Sequence, residues 1–138
     1  MTWTHTQTIG LRHTDAAGLL FSPRLLEMAQ EAFEELQAHV SVSVVGRLKG
    51  GGPILPTVHC EADFLKPIGL GDEIRVELRL AKSGERSFSL SYTFLTADGS
   101  VVARAATVHV AMDRGSGRPV ALTDEMKRIF QPLDAVAP

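Results

Sequence analysis

The stretch from Pro23 to Leu36 constrains the fold more than any other part of this chain. Its apolar residues Leu25, Leu26, Met28, Ala29, Ala32, Phe33 and Leu36 recur at helical spacing, and no other stretch does so at that length. Glu27, Glu31, Glu34 and Glu35 fill positions between them, as a solvated or interface face would require. Ser22 before Pro23 reads as an N-cap followed by a proline in the first turn, where a missing N–H costs nothing. A single long helix with one apolar stripe must bury it against something else, and the rest of the sequence reads mainly as strands.

Thr4 to Arg12 reads as a first strand, rich in threonine. After the helix, Val40 to Val45 loses helical preference through its β-branched residues, and Lys49-Gly50-Gly51-Gly52-Pro53 reads as a flexible loop. Val58, Cys60, Ala62 and Phe64 then alternate with His59, Glu61 and Asp63. Gly69-Leu70-Gly71-Asp72 turns the chain, and Ile74, Val76, Leu78 and Leu80 alternate with Glu73, Arg75, Glu77 and Arg79. Lys82-Ser83-Gly84-Glu85 is a second turn, followed by Phe88, Leu90, Tyr92 and Phe94 between serines and Thr93. Asp98-Gly99 reads as a hairpin turn into a last long strand, Val101 to Met112, and a closing helix from Asp124 to Gln131 is capped by Thr123. The pattern predicts an α+β fold, a curved antiparallel sheet around one central helix with a short C-terminal helix. Residues 1–138 read as one domain, with no repeat or linker.

Composition narrows the partners. With 44% hydrophobic and only 22% charged residues, the chain carries more apolar surface than a monomer needs, which points to an oligomer. A formal charge of -2 and the lack of a Lys/Arg-rich run argue against nucleic acid as a partner. Cys60 is the only cysteine, so no intramolecular disulfide can form, and its place in an alternating apolar row predicts a buried, inert thiol. The first residues have neither a basic start nor an apolar core, and no stretch approaches the ~18 apolar residues of a membrane span, so the expected location is cytoplasmic.

The chemistry is expected in Leu11-Arg12-His13-Thr14-Asp15-Ala16-Ala17-Gly18. Asp15 stands a few residues ahead of the helix start, where free N–H groups and the positive dipole end favour developing negative charge. A carbonyl oxygen held there would be polarised while Asp15, or a water it activates, attacks the carbon. The alternative is an Asx-type turn in which Gly18 supplies an unusual backbone angle. His5, His39 and His109 show no metal-ligand spacing, and the chemistry calls for no metal or other cofactor.

The strand order, together with Thr14-Asp15-Ala16-Ala17-Gly18-Leu19-Leu20-Phe21-Ser22-Pro23, resembles the hotdog-fold thioesterases of the 4-hydroxybenzoyl-CoA thioesterase type. Within that group the chain is most similar to 1,4-dihydroxy-2-naphthoyl-CoA thioesterases. The matching segments are Leu26 to Glu34, Leu55 to Phe64, Gly71-Asp72 and Ala103 to Val110. The resemblance implies hydrolysis of an aromatic acyl-CoA to free acid and CoA, with Asp15 as nucleophile or general base and the backbone N–H of Ser22 holding the oxyanion. Pro23 has no N–H to add. It also implies a site assembled across a homodimer or homotetramer.

Gln30 falls where the 4-hydroxybenzoyl-CoA enzyme carries an acid for the ring hydroxyl, and it can hydrogen-bond without charge. His13 stands where many relatives have an acid. Glu31 is a further candidate, since some hotdog thioesterases use a helix glutamate, and His59 and Glu61 would line the acyl pocket. For the CoA phosphates, Lys82 and Arg86 flank a turn, and Arg86-Ser87-Phe88 matches the family's nucleotide-contacting segment. Arg104 and Arg114 are weaker candidates. Three rival readings are an aliphatic acyl-CoA thioesterase, a hotdog hydratase and a non-catalytic acyl-CoA binder.

Overall fold

The computed structural model describes residues 1–42 and 44–136. The chain runs β1 (Trp3–Thr8), a 3-10 turn (Leu11–His13), α1 (Pro23–His39), α2 (Val44–Lys49), β2 (Thr57–Phe64), β3 (Glu73–Ser83), β4 (Ser87–Thr96), β5 (Val101–Val110) and α3 (Asp124–Phe130). All five strands join one antiparallel sheet in the order β1-β3-β4-β5-β2. Among the described residues no helix is long and apolar enough to cross a membrane.

The two periodicities of the sequence meet in the core. Leu25, Met28, Ala29, Ala32, Phe33 and Leu36 of α1 are buried together with Ile74, Val76 and Leu78 of β3 and Phe88, Leu90, Tyr92 and Phe94 of β4. Alanines at 29 and 32 on the helix and at 103 and 105 on β5 keep side chains short, so the layers approach closely. Phe33 meets Phe88 edge-on at 6.4 Å and the His109 ring at 4.5 Å, which fixes α1 over β4 and β5. At the other margin, His5 contacts Glu35 and Trp3 packs on His39 at 4.5 Å, tying β1 to α1. Gly99, at φ +86°, makes the turn between β4 and β5, with Asp98 accepting from Ser100 N–H at 2.9 Å.

Five expectations change. The first strand ends at Thr8 rather than Arg12, because Ile9 bonds out to the Asp72 region (Ile9 N–H to Asp72 O, 2.8 Å) and a 3-10 turn follows. Ser22 does not cap α1: it is already helical at φ -51°, ψ -40°, and its hydroxyl makes no capping bond. A short helix, α2, spans Val44–Lys49 and begins within the Val40–Val45 stretch where helical preference was expected to be lost. Arg114 holds its end by donating to the carbonyls of Arg47 (3.2 Å), Leu48 (2.9 Å) and Gly52 (3.3 Å). The last strand closes at Val110, and Met112 makes only isolated bridges to Ile54 and Pro119.

The fifth correction is Cys60, which is exposed. Its register opposite Thr107 puts it on the helix-facing side of the sheet, but β2 has only β5 as neighbour and almost every residue along it is exposed. Alternation reports a strand's two faces correctly and says nothing about whether the strand lies at the margin.

Candidate active site

Residues 13–21 fold into a small hairpin that carries Asp15 at its tip. Phe21 N–H donates to His13 O (2.9 Å), Thr14 bridges Leu20, and Asp15 N–H donates to Leu19 O (2.8 Å). Gly18 turns the tip at φ +77°, a conformation that penalises any side chain. The hairpin leans on the segment before β3 through Leu20 N–H to Ile68 O (2.7 Å) and Leu70 N–H to Gly18 O (3.0 Å). It therefore returns the chain beside His13 and Thr14 just where α1 begins, so carboxylate and helix start are held by one closed unit.

Within that unit the Asp15 carboxylate is exposed and half engaged. Its Oδ1 accepts from Ala17 N–H (2.8 Å) and Leu19 N–H (3.2 Å), while Oδ2 has no partner among the described residues. The Asx-type turn is thus real, and it leaves one oxygen with its lone pairs free. At the helix start, Arg24 N–H is taken by Phe21 O (2.8 Å), Leu25 N–H by Ser22 O (3.2 Å), and Pro23 has none. Ser22 N–H has no acceptor among the described residues, so it is the open donor of that first turn. The geometry offers a free carboxylate oxygen and a free helix-start N–H.

His13 supports this unit from below. It is 6% exposed, and its Nδ1 accepts from Gly10 N–H at 2.9 Å, which places the ring proton on Nε2. Nε2 lies 2.9 Å from the Gln7 amide, and turning Gln7 Oε1 toward it satisfies both groups.

The other candidates fall into separate places. Gln30 is exposed on α1 with Nε2 3.4 Å from Glu34 Oε1, and Glu31 is half-buried on the same helix. His59 and Glu61 lie 3.7 Å apart, opposite Val108 and Ala106, on the sheet face away from α1. Among the described residues neither makes a hydrogen bond or ion pair to Asp15. Lys82, Arg86 and Ser87 surround the β3–β4 turn, but the side chain of Phe88 is 1% exposed and stacks on His109 at 5.1 Å, so it has no surface for a nucleotide. Arg114 is occupied with the α2 carbonyls described above. Arg104 is exposed opposite Asp63 on β2 and Thr93 on β4.

Lys127, which the sequence did not single out, shares a cavity of about 490 Å³ with Arg86 and Glu85, walled by Pro119 to Leu122, whereas Lys82 lies outside it. Leu122 N–H to Glu85 O (2.8 Å) and Ala111 N–H to Arg86 O (2.9 Å) bring the β3–β4 turn against the segment leading into α3. Nothing in the spacing of positions 86 and 127 signals that approach.

Comparison with known proteins agrees with this architecture. The family model of the thioesterase-like superfamily matches residues 9–130. A 1,4-dihydroxy-2-naphthoyl-CoA hydrolase of Nostoc punctiforme is 32% identical over 126 residues, covering 91% of this chain and 84% of that protein. The hydrolase of the same name from Prochlorococcus marinus is 37% identical over 134 residues, covering 91% and 86%. Among solved structures, a 1,4-dihydroxy-2-naphthoyl-CoA thioesterase from Synechocystis superposes with a TM-score of 0.88 at 27% identity, over 94% of this chain and 96% of that one. With a five-stranded antiparallel sheet laid around α1 and a family match across most of its length, the chain belongs to the thioesterase-like superfamily and has the hotdog fold.

Proposed function

We propose that this protein hydrolyses an aromatic acyl-CoA of the 1,4-dihydroxy-2-naphthoyl class to the free acid and CoA. The observation that carries the reading is an Asp15 Oδ2 at the hairpin tip and a Ser22 N–H just past the hairpin's end, neither with a partner among the described residues. The thioester carbonyl oxygen takes the Ser22 N–H at the helix start, where partial positive charge stabilises the oxyanion as it forms. Asp15 Oδ2 either attacks the carbonyl carbon or removes a proton from the attacking water. In both cases the C–S bond breaks and CoA leaves as a thiolate that takes a proton; direct attack first forms an acyl–Asp15 anhydride, which water then hydrolyses to free acid and Asp15, whereas in the general-base route the attacking water itself supplies the new oxygen of the acid. Oδ1, held by two N–H groups, fixes the direction of Oδ2. Gln30 and Glu31 line the path of the acyl group along α1. The Arg86–Lys127 cavity takes CoA phosphate, and a second copy of the chain completes the site.

The named relatives support this substrate class. Asp15→Asn keeps an acceptor for Ala17 and Leu19, so it should retain the fold and lose turnover by about 10²-fold or more. Free-thiol release from dihydroxynaphthoyl-, 4-hydroxybenzoyl- and straight-chain acyl-CoA checks it. A near-normal kcat in the variant would remove Asp15 from the chemistry. Single turnover in ¹⁸O-water tests for direct attack: label in the Asp15 carboxylate marks an anhydride opened at the Asp15 carbonyl, an outcome that water attack on the thioester does not produce.

A further inference from the structure

Between Ile9 and Gly18 the chain leaves the sheet, and Asp15 rides on that excursion. Backbone bonds hold both ends. Ile9 N–H donates to Asp72 O (2.8 Å) and Ile9 O accepts from Gly71 N–H (2.8 Å), while Gly18 O accepts from Leu70 N–H (3.0 Å). Between those anchors the bonds of residues 10–17 close on the excursion itself or on its return arm. His13 N–H donates to Gly10 O (3.0 Å), Thr14 N–H to Leu11 O (3.1 Å) and Asp15 N–H to Leu19 O (2.8 Å). The side chains are as loosely placed: Leu11 is 78% exposed, and of residues 10–17 only His13 is buried. A segment with so few buried contacts has little local stability of its own.

One link remains between this segment and the sheet. His13 Nε2 lies 2.9 Å from the amide of Gln7, a residue of β1 paired opposite Ile74 of β3. Among the described residues no other hydrogen bond leads from residues 10–17 to a strand. A neutral imidazole suits the place because its two nitrogens play opposite parts. Nδ1 accepts from Gly10 N–H at 2.9 Å, so Nε2 carries the proton and donates to Gln7 Oε1 in the amide orientation given above. The ring thus fixes position 13 from two sides, and Asp15 lies two residues further along the same arm.

Resting on the thioesterase reading above, we propose that His13 is a positioning residue for the reaction: through Gln7 it holds the outgoing arm of the hairpin against β1 and keeps Asp15 Oδ2 aimed at the thioester carbon bound at the helix start. It touches neither the substrate nor the reacting atoms. Without the link the arm is free to shift, and a displacement of even about 1 Å slows the chemical step steeply. Binding of the CoA ester, which involves other parts of the site, changes little.

Three variants test this. Gln7→Leu removes the link from the β1 end and leaves the hairpin's sequence intact, His13→Ala removes it from the other end, and His13→Gln can reach Gln7 with its own amide. Thermal melts fix a temperature at which all are folded, and 1,4-dihydroxy-2-naphthoyl-CoA and 4-hydroxybenzoyl-CoA serve as substrates. Gln7→Leu and His13→Ala should each lower kcat by about 10-fold or more with KM within about 3-fold of wild type. The double variant should lose no more than His13→Ala alone, since both changes break one link, and His13→Gln should recover kcat to within about 3-fold of wild type. Wild-type kcat in Gln7→Leu, a His13→Gln as slow as His13→Ala, or a double variant whose loss is the product of the single losses overturns the proposal. If wild type turns over neither substrate, the thioesterase reading itself fails. Amide hydrogen exchange then decides the link alone: faster exchange in Gln7→Leu of the Ala17 and Leu19 N–H groups that Asp15 Oδ1 holds sustains it, and unchanged exchange removes it.

Discussion

His109 shows what one letter in a strand can conceal. It occupies a core position of β5, is 0% exposed, and stands between Phe33 and Phe88. Its Nε2 lies 2.8 Å from Thr107 Oγ1, which lies 2.9 Å from the Tyr92 hydroxyl, and its Nδ1 lies 3.2 Å from Thr57 Oγ1. Burial pushes the Tyr92 hydroxyl's pKa well up, so Tyr92 keeps its proton. A neutral His109 ring, with one nitrogen donating and the other accepting, is served by Thr107 and Thr57 together. A second proton on the ring would place a charge in the core. Accordingly burial lowers the His109 pKa from 6.5 to about 4. The unfolded chain then binds the proton more readily, so stability is present above about pH 6.5 and is lost as pH falls toward 4, by on the order of 3 kcal/mol in all. Asp98, Asp113 and Asp134, whose pKa values are lowered by hydrogen bonds, act only below their ordinary 3.8. Urea unfolding at pH 7.5 and pH 5 should therefore show a drop of roughly 2 kcal/mol in wild type and a much smaller one in His109→Gln. Parallel behaviour of the two proteins would mean that another group carries the acid sensitivity. The sequence reading noted only that His109 lacks metal spacing, because its partners at 57 and 92 come from other strands.

At the scale of elements, what was legible is what depends on near neighbours. Helix α1 and strands β3 and β4 follow from their own periodicities, and Thr123 caps α3 as expected, accepting from Met126 N–H at 3.1 Å. Helix α2 was not legible, because Val44 and Val45 disfavour it locally and Arg114, far along the chain, holds its carbonyls. Ser22 is the instructive failure: the right residue type before a proline has no capping bond, because the preceding hairpin delivers the chain already in helical conformation. The two positions make a paired prediction. Thr123→Ala should cost about 1 kcal/mol, and Ser22→Ala should stay within about 0.5 kcal/mol. Denaturant midpoints at constant m-value measure both, and a cost at Ser22 equal to that at Thr123 would contradict the assigned geometry. The Asp15 turn was legible from Asp15 and Gly18 alone, whereas the Arg86–Lys127 cavity arises from contacts between distant segments and left no spacing to read.

The whole molecule has an unfinished margin. Strand β2 runs for eight residues at the edge of the sheet, its bulge at Val58 opening the register between Thr57 and His59. Val58 and Phe64 are 52% and 46% exposed, and Phe21, at the base of the Asp15 hairpin, is 51% exposed. A long apolar edge with a row of unpaired backbone groups is a surface that proteins cover, and a second copy of this chain presents the same edge in return. Pairing of two β2 edges would also bury Cys60, and would bring the second copy's His59 and Glu61 into play where one chain leaves them on the sheet face away from α1. The expected species is therefore a dimer, or a tetramer built from two such dimers, and sedimentation equilibrium should give at least twice the 14.9 kDa of one chain. Cys60 should resist a thiol reagent in that species. Phe64→Lys places a charge on the edge and should shift the equilibrium toward monomer, expose Cys60 to the reagent and lower turnover, while circular dichroism stays that of a folded protein. A wild type that sediments as a single chain with full activity would show instead that one Asp15–Ser22 unit is sufficient, and that the apolar margin serves some other contact.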